Sequence, residues 1–85
     1  MKYYNLVIKG SCPYCTSAIA FLADRGEQFV YTDTENCGFV LDFVKKQSGH
    51  ETVPMIWEIT VDQGTAITRF IGGYDDLKQD FGSGE

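Results

Sequence analysis

Tyr3-Tyr4-Asn5-Leu6-Val7-Ile8-Lys9-Gly10-Ser11-Cys12-Pro13-Tyr14-Cys15 joins a run of β-forming residues to a Gly-Ser break and two thiols spaced Cys-x-x-Cys. The aromatic and β-branched residues up to Ile8 read as a buried strand. Gly10-Ser11 interrupts it, and Pro13 fits the first turn of a helix, where a missing N–H costs nothing. Ala18, Ile19, Phe21 and Leu22 then supply an apolar face at helical spacing as far as Arg25, and Gly26 is a natural stop. The two cysteines therefore stand where a strand gives way to a helix. The first sulfur would lie by the unpaired N–H groups and the positive end of the helix dipole, which favour a thiolate. A thiolate is the attacking species in disulfide exchange. The motif reads as a redox dithiol.

Downstream, Gln28-Phe29-Val30-Tyr31-Thr32 reads as a second strand, which completes a right-handed βαβ unit with parallel strands. Thr34-Glu35-Asn36 offers capping residues for a second helix. Its expected buried face is Phe39, Val40, Phe43 and Val44, with Lys45-Lys46 near its C-terminus and Gly49 ending it. Val53 to Val61 is the strongest strand signal in the chain. Asp62-Gln63-Gly64-Thr65 turns it back into a hairpin with Ala66 to Ile71. Gly72-Gly73 breaks that strand, and Tyr74-Asp75-Asp76-Leu77 opens a last helix with acids in its first turn. The order β-α-β-α-β-β-α predicts an α/β fold with a four-stranded sheet flanked by helices. One domain is expected over residues 1–81, with a flexible tail over 82–85.

Seven basic against twelve acidic residues leave a net charge of −5, which argues against nucleic acid, whose phosphates demand clustered Lys and Arg. No apolar run approaches the roughly 20 residues needed to cross a bilayer. Met1-Lys2-Tyr3-Tyr4-Asn5 carries no signal-peptide pattern, so the expected compartment is the cytoplasm. Three cysteines, two of them in the close pair, favour a working dithiol over a structural staple in that reducing setting.

Cys12-Pro13-Tyr14-Cys15 after the first strand, Thr52-Val53-Pro54 before the third and Gly72-Gly73-Tyr74-Asp75-Asp76 after the fourth together resemble a glutaredoxin. The match runs in order from Tyr3 to about Phe81, and is similar to the small dithiol type of bacteria and phages. The resemblance implies a thioredoxin-like fold, with a cis Val53–Pro54 bond beside the dithiol and glutathione in a groove between the three segments. It implies Cys12 as the attacking thiolate and Cys15 as the resolving thiol. Lys9 would favour that thiolate and lie near a glutathione carboxylate, and Tyr14 would line the groove. Thr52, Val53 and Pro54 would form an edge that pairs with the cysteinyl part of glutathione. Gly73, Tyr74, Asp75 and Asp76 would receive its γ-glutamyl end.

The implied activity is reduction of protein disulfides and glutathione mixed disulfides, in electron transport and cell redox homeostasis. Glutathione is the implied co-substrate, without a metal. Implied partners are disulfide-containing or glutathionylated proteins, ribonucleotide reductase among them, with no nucleic acid or membrane. The chain would act as a monomer in the cytoplasm, or in the host's cytoplasm if it comes from a phage. Three features depart from the family pattern. Glu51 stands where many relatives carry a basic residue facing the glycine carboxylate, and this weakens glutathione binding unless Lys9, Lys45 or Lys46 compensates. The hairpin from Met55 to Ile71 is long, and the C-terminal segment is short.

The residues also allow blander readings. A zinc site would have only Cys37 and His50 to complete it, neither in a second paired motif. Cys37 reads as an ordinary residue at the start of the second helix, and His50 as a solvated loop histidine. Trp57 and Phe70 read as a packing pair across the hairpin. Two alternatives to the glutathione enzyme remain. One is a thioredoxin-like donor reduced by a flavoprotein reductase, kept open by Glu51. The other is an iron–sulfur or zinc carrier, disfavoured by Cys-Pro-Tyr-Cys.

Overall fold

The last three residues of β1 (Lys2–Ile8) are all buried, on both faces of the strand. Its position explains this. β1 lies between β2 (Phe29–Asp33), which it pairs in parallel, and β3 (Met55–Asp62), which it pairs antiparallel. β4 (Thr65–Gly72) forms the other edge, giving the order β2-β1-β3-β4. With α1 (Pro13–Asp24), α2 (Gly38–Ser48) and α3 (Tyr74–Gly82) the elements follow the expected sequence around a mixed sheet. The computed structural model describes residues 1–82. Gly82 ends α3 instead of opening a tail, and the rest of the tail read from the sequence lies outside the described residues.

Local signals account for most boundaries. Pro13 begins α1, and the chain turns at Gly26, whose N–H donates to the Ala23 carbonyl at 3.0 Å. β3 and β4 are joined by Gln63-Gly64, with φ of 50° and 80°, the paired positive values that match a two-residue turn to the twist of the strands. Trp57 and Phe70 face each other in that hairpin with ring centroids 5.0 Å apart, as expected.

The larger core packs Tyr4, Leu6, Ile8 and Ile56 of the sheet against Cys15, Ala18 and Leu22 of α1 and Leu77 of α3. Each such fully buried aliphatic side chain contributes about 1.5–3 kcal/mol of transfer free energy. The opposite sheet face has a smaller cluster of Val7, Met55 and Leu41 from α2. Arg69 of β4 joins the hairpin to α3. It bonds Glu58 at 3.1 Å and Asp80 at 3.0 Å, and Lys2 approaches the same Glu58 at 3.7 Å.

α2 corrects the sequence reading in two respects. Phe39 and Phe43 are 79% and 62% exposed, whereas Leu41 is only 8% exposed. Leu41 wedged against Val7 and Met55 sets the helix phase, with Val44 packed beside it. Phe39 and Phe43 stand two residues to either side, about 200° around the helix. The expected caps also act elsewhere. Cys37 is the N-cap and makes no side-chain capping bond. Thr34 is buried and donates its hydroxyl to the Ile8 carbonyl at 2.8 Å, while Glu35 accepts from Ser11. At the other end Lys45 and Lys46 occupy the last turn and Gly49 closes it with φ 72°, as read. Among the described residues, no helix is long and apolar enough to cross a membrane.

Candidate functional site

The loop between β1 and α1 is held by side chains from the end of β2 and from the residues just after it. Asp33 Oδ1 accepts the Gly10 N–H at 3.1 Å and the Glu35 N–H at 2.9 Å. Glu35 Oε2 accepts the Ser11 N–H at 3.4 Å and its hydroxyl at 3.2 Å. The Cys12 N–H then closes a turn on the Lys9 carbonyl at 2.9 Å, and Cys12 becomes the N-cap of α1 with an extended φ of −87° and ψ of 118°.

These constraints give the two thiols different surroundings. Cys12 is half-buried, and its Sγ donates to the Val53 carbonyl at 3.7 Å. That is the bond of a thiol, and in this form the N–H groups of α1 do not cap the sulfur. Cys15 is 1% exposed and belongs to the larger core. Burial pushes the Cys15 thiol up to about 12; a backbone hydrogen bond with Lys9 works against the rise, and Cys12 and Asp33 add to it. Both cysteines, and Cys37 at the head of α2, are free thiols. One sulfur can meet a substrate, and the other waits protonated beneath it.

A groove of about 630 Å³ opens beside Cys12. Lys9, Tyr14, Thr52, Val53, Pro54, Gly73, Tyr74, Asp75 and Asp76 all line it. One wall is the Thr52-Val53-Pro54 edge, where the Val53–Pro54 bond is cis. Next to it is the turn into α3, where a Cβ on Gly73 would lie 3.8 Å from the Pro54 carbonyl oxygen. Gly72 has φ 121°, and a Cβ there would run into the Asp76 carboxylate. Asp76 Oδ2 accepts the Gly73 N–H at 2.9 Å, capping α3. The N–H groups of Tyr74 and Asp75 lie in the first turn, where the helix itself has no acceptor for them. Tyr74 packs edge-on against Phe21 at 6.2 Å, and Asp75 pairs with Lys78 at 3.5 Å.

Leu41, Lys45, His50 and Glu51 also line the groove. Leu41 gave no separate signal, because the two flanking phenylalanines dominate the apolar pattern of α2. His50 is not a solvated loop residue. It is half-buried, its Nε2 lies 3.1 Å from the Thr52 hydroxyl, and its ring meets Phe70 at 5.6 Å. Among the described residues, no three His, Cys, Asp or Glu side chains cluster as metal ligands.

The glutaredoxin family model matches residues 4–62. The chain is similar to glutaredoxin 3 of Escherichia coli K12, with 32% identity over 91% of this chain and 83% of that protein. It is also similar in sequence and structure to a Brucella melitensis glutaredoxin. That solution structure has a TM-score of 0.73 and 28% identity, over 96% of this chain and 80% of the other. A crystal structure of a buckwheat glutaredoxin–glutathione complex shares the fold, with a TM-score of 0.77 at 17% identity over 98% and 71% of the two chains. An accessible thiol over a buried one at a helix start is the working arrangement of disulfide exchange. With these likenesses it establishes that the chain belongs to the glutaredoxin family, as a thiol-disulfide oxidoreductase whose dithiol is Cys12 and Cys15.

Proposed function

We propose that this dithiol reduces protein disulfides and glutathione mixed disulfides, and that glutathione restores it. The groove carries the reading, because it runs along Val53, whose carbonyl lies 3.7 Å from Cys12 Sγ. A peptide paired with that edge brings its own sulfur to the nucleophile. The buckwheat relative's complex with glutathione supports the choice of tripeptide.

In the proposed cycle the Cys12 thiolate attacks one sulfur of the substrate disulfide and expels the other as a thiolate, which takes up a proton. Cys15 loses its proton and attacks Cys12 Sγ, releasing the second substrate thiol and closing a Cys12–Cys15 disulfide. Two glutathione molecules then supply two electrons and two protons, leaving glutathione disulfide. With a glutathionylated substrate, a second glutathione can resolve the Cys12 mixed disulfide directly. Val53 holds the cysteinyl part, between Tyr14 and the Thr52–Pro54 edge. Gly73, Tyr74, Asp75 and Asp76 receive the γ-glutamyl end, and Lys9 faces a carboxylate. Disulfide-containing or glutathionylated proteins are the partners, ribonucleotide reductase among them. The setting is the cytoplasm and the active unit is a monomer.

The test is turnover of a small glutathione mixed disulfide, coupled to glutathione reductase. Cys12→Ser should be inert, while Cys15→Ser should keep part of the activity. Glu51, exposed at the groove, favours a second reading in which a flavoprotein reductase supplies the electrons. Wild-type protein inert with glutathione but active with thioredoxin reductase would overturn the first reading in favour of the second.

A further inference from the structure

We infer that His50 is a positioning residue of the groove, which acts through the Thr52 hydroxyl to hold the Thr52–Val53 edge where a glutathionyl peptide pairs with it. The inference rests on the glutathione reading above.

An edge that offers its N–H and carbonyl groups to a peptide cannot use those groups to hold itself. Residues 50–53 run between the Gly49 cap of α2 and the buried Pro54, outside any helix or strand. Among the described residues, no loop hydrogen bond between backbone groups involves them. Side chains hold the segment instead, and His50 is at their centre. Its N–H donates to the Ser48 hydroxyl oxygen at 3.1 Å, and that hydroxyl donates to Met55 Sδ at 3.5 Å. Its ring meets Phe70 of β4 edge-on, with centroids 5.6 Å apart. From that seat Nε2 lies 3.1 Å from the Thr52 hydroxyl.

Thr52 is exposed, and among the described residues its hydroxyl has no other partner. A hydroxyl both donates and accepts, so it pairs with either tautomer of the ring. The half-buried ring thus fixes an exposed residue. The next residue is Val53, whose carbonyl accepts from Cys12 Sγ at 3.7 Å. The same ring borders the turn into α3, because a Cβ on Gly73 would lie 3.7 Å from Nε2. His50 therefore stands where the two segments of the groove meet. Loss of its bond to Thr52 would leave the ordering of the edge to the ligand, which lowers affinity.

The experiment measures kcat and KM for a glutathionylated peptide in wild type, His50→Phe, His50→Gln, Thr52→Val and the double variant His50→Phe/Thr52→Val. Phenylalanine keeps a ring against Phe70 and lacks Nε2, whereas the glutamine amide can still bond the Thr52 hydroxyl. His50→Phe should raise KM roughly 2–10-fold, the effect of one lost hydrogen bond, and leave kcat within about twofold of wild type. His50→Gln should restore most of the affinity. In the Thr52→Val background, His50→Phe should add little, because the partner has already gone. An unchanged KM in His50→Phe, an equal penalty in His50→Gln, or a full His50→Phe penalty without the Thr52 hydroxyl would overturn the assignment while leaving the glutathione reading intact. Wild type that fails to saturate with any glutathionyl substrate would overturn both.

Discussion

Gly72→Ala tests how the turn into α3, which lines the groove, is built. Gly72 has φ 121°, where an L side chain is strained, and the new Cβ would meet the Asp76 carboxylate. That carboxylate must then leave the Gly73 N–H it accepts at 2.9 Å. The backbone strain costs about 1–3 kcal/mol, and the lost cap costs about 1 kcal/mol. The combined loss of about 2–4 kcal/mol lowers Tm by roughly 10–25 °C in a domain of this size. Urea and thermal unfolding followed by circular dichroism measure it. Asp76→Ala alone should cost about 1 kcal/mol. In the double variant the two losses should add to less than their sum, since the carboxylate that clashes has gone. Gly38→Ala, where an added Cβ meets nothing within 4 Å, is the unstrained control and should be slightly stabilising, alanine being the better helix former in α2. Gly72→Ala within about 0.5 kcal/mol of wild type, or strict additivity with Asp76→Ala, would refute this account of the turn.

Three other outcomes follow from the structure. Burial raises the Cys15 thiol from 9.0 to about 12, so its contribution to stability is complete below pH 9 and lost as pH rises from there towards 12. Urea unfolding of the reduced protein should weaken across that window by up to about 1.4 kcal/mol per pH unit, and Cys15→Ala should flatten the dependence. Arg69 holds the Asp80 carboxyl below its usual range, which stabilises the fold at neutral pH and ceases to do so as acid protonates Asp80. Arg69→Leu should therefore cost about 1 kcal/mol in low salt at pH 7, with a smaller difference from wild type near pH 2 or in high salt. Leu41→Ala should cost about 2–5 kcal/mol, while Phe39→Gln should stay within about 0.5 kcal/mol by the same unfolding assay.

The elements that could be read from sequence were those set by local chemistry. Pro13, Gly26, Gly49 and the Gln63-Gly64 turn mark boundaries through backbone geometry, which neighbours along the chain largely determine. The three segments of the groove were legible as motifs, and they line one cleft. The phase of α2 was not legible. Two phenylalanines outweigh one leucine in an apolar count, yet Leu41 fits between Val7 and Met55, and that choice depends on residues distant in sequence. His50 was misread for the same reason, because its ring is covered by Phe70 of β4, twenty residues away in sequence. Thr34, Glu35 and Asn36 looked like caps, but two of them bond to the chain around Ile8 and Ser11, an attachment that has no local signature.

The ties from Asp33 and Glu35 to Gly10 and Ser11 bear on transplantation of the chemistry. Moved alone into another scaffold, the four residues from Cys12 to Cys15 would carry the two sulfurs without the strand end that sets their height above the sheet. A graft that also brings the Asp33-Thr34-Glu35 segment carries both halves of the mounting. The smallest portable form of this dithiol is therefore two pieces of chain joined by carboxylate hydrogen bonds, not one loop.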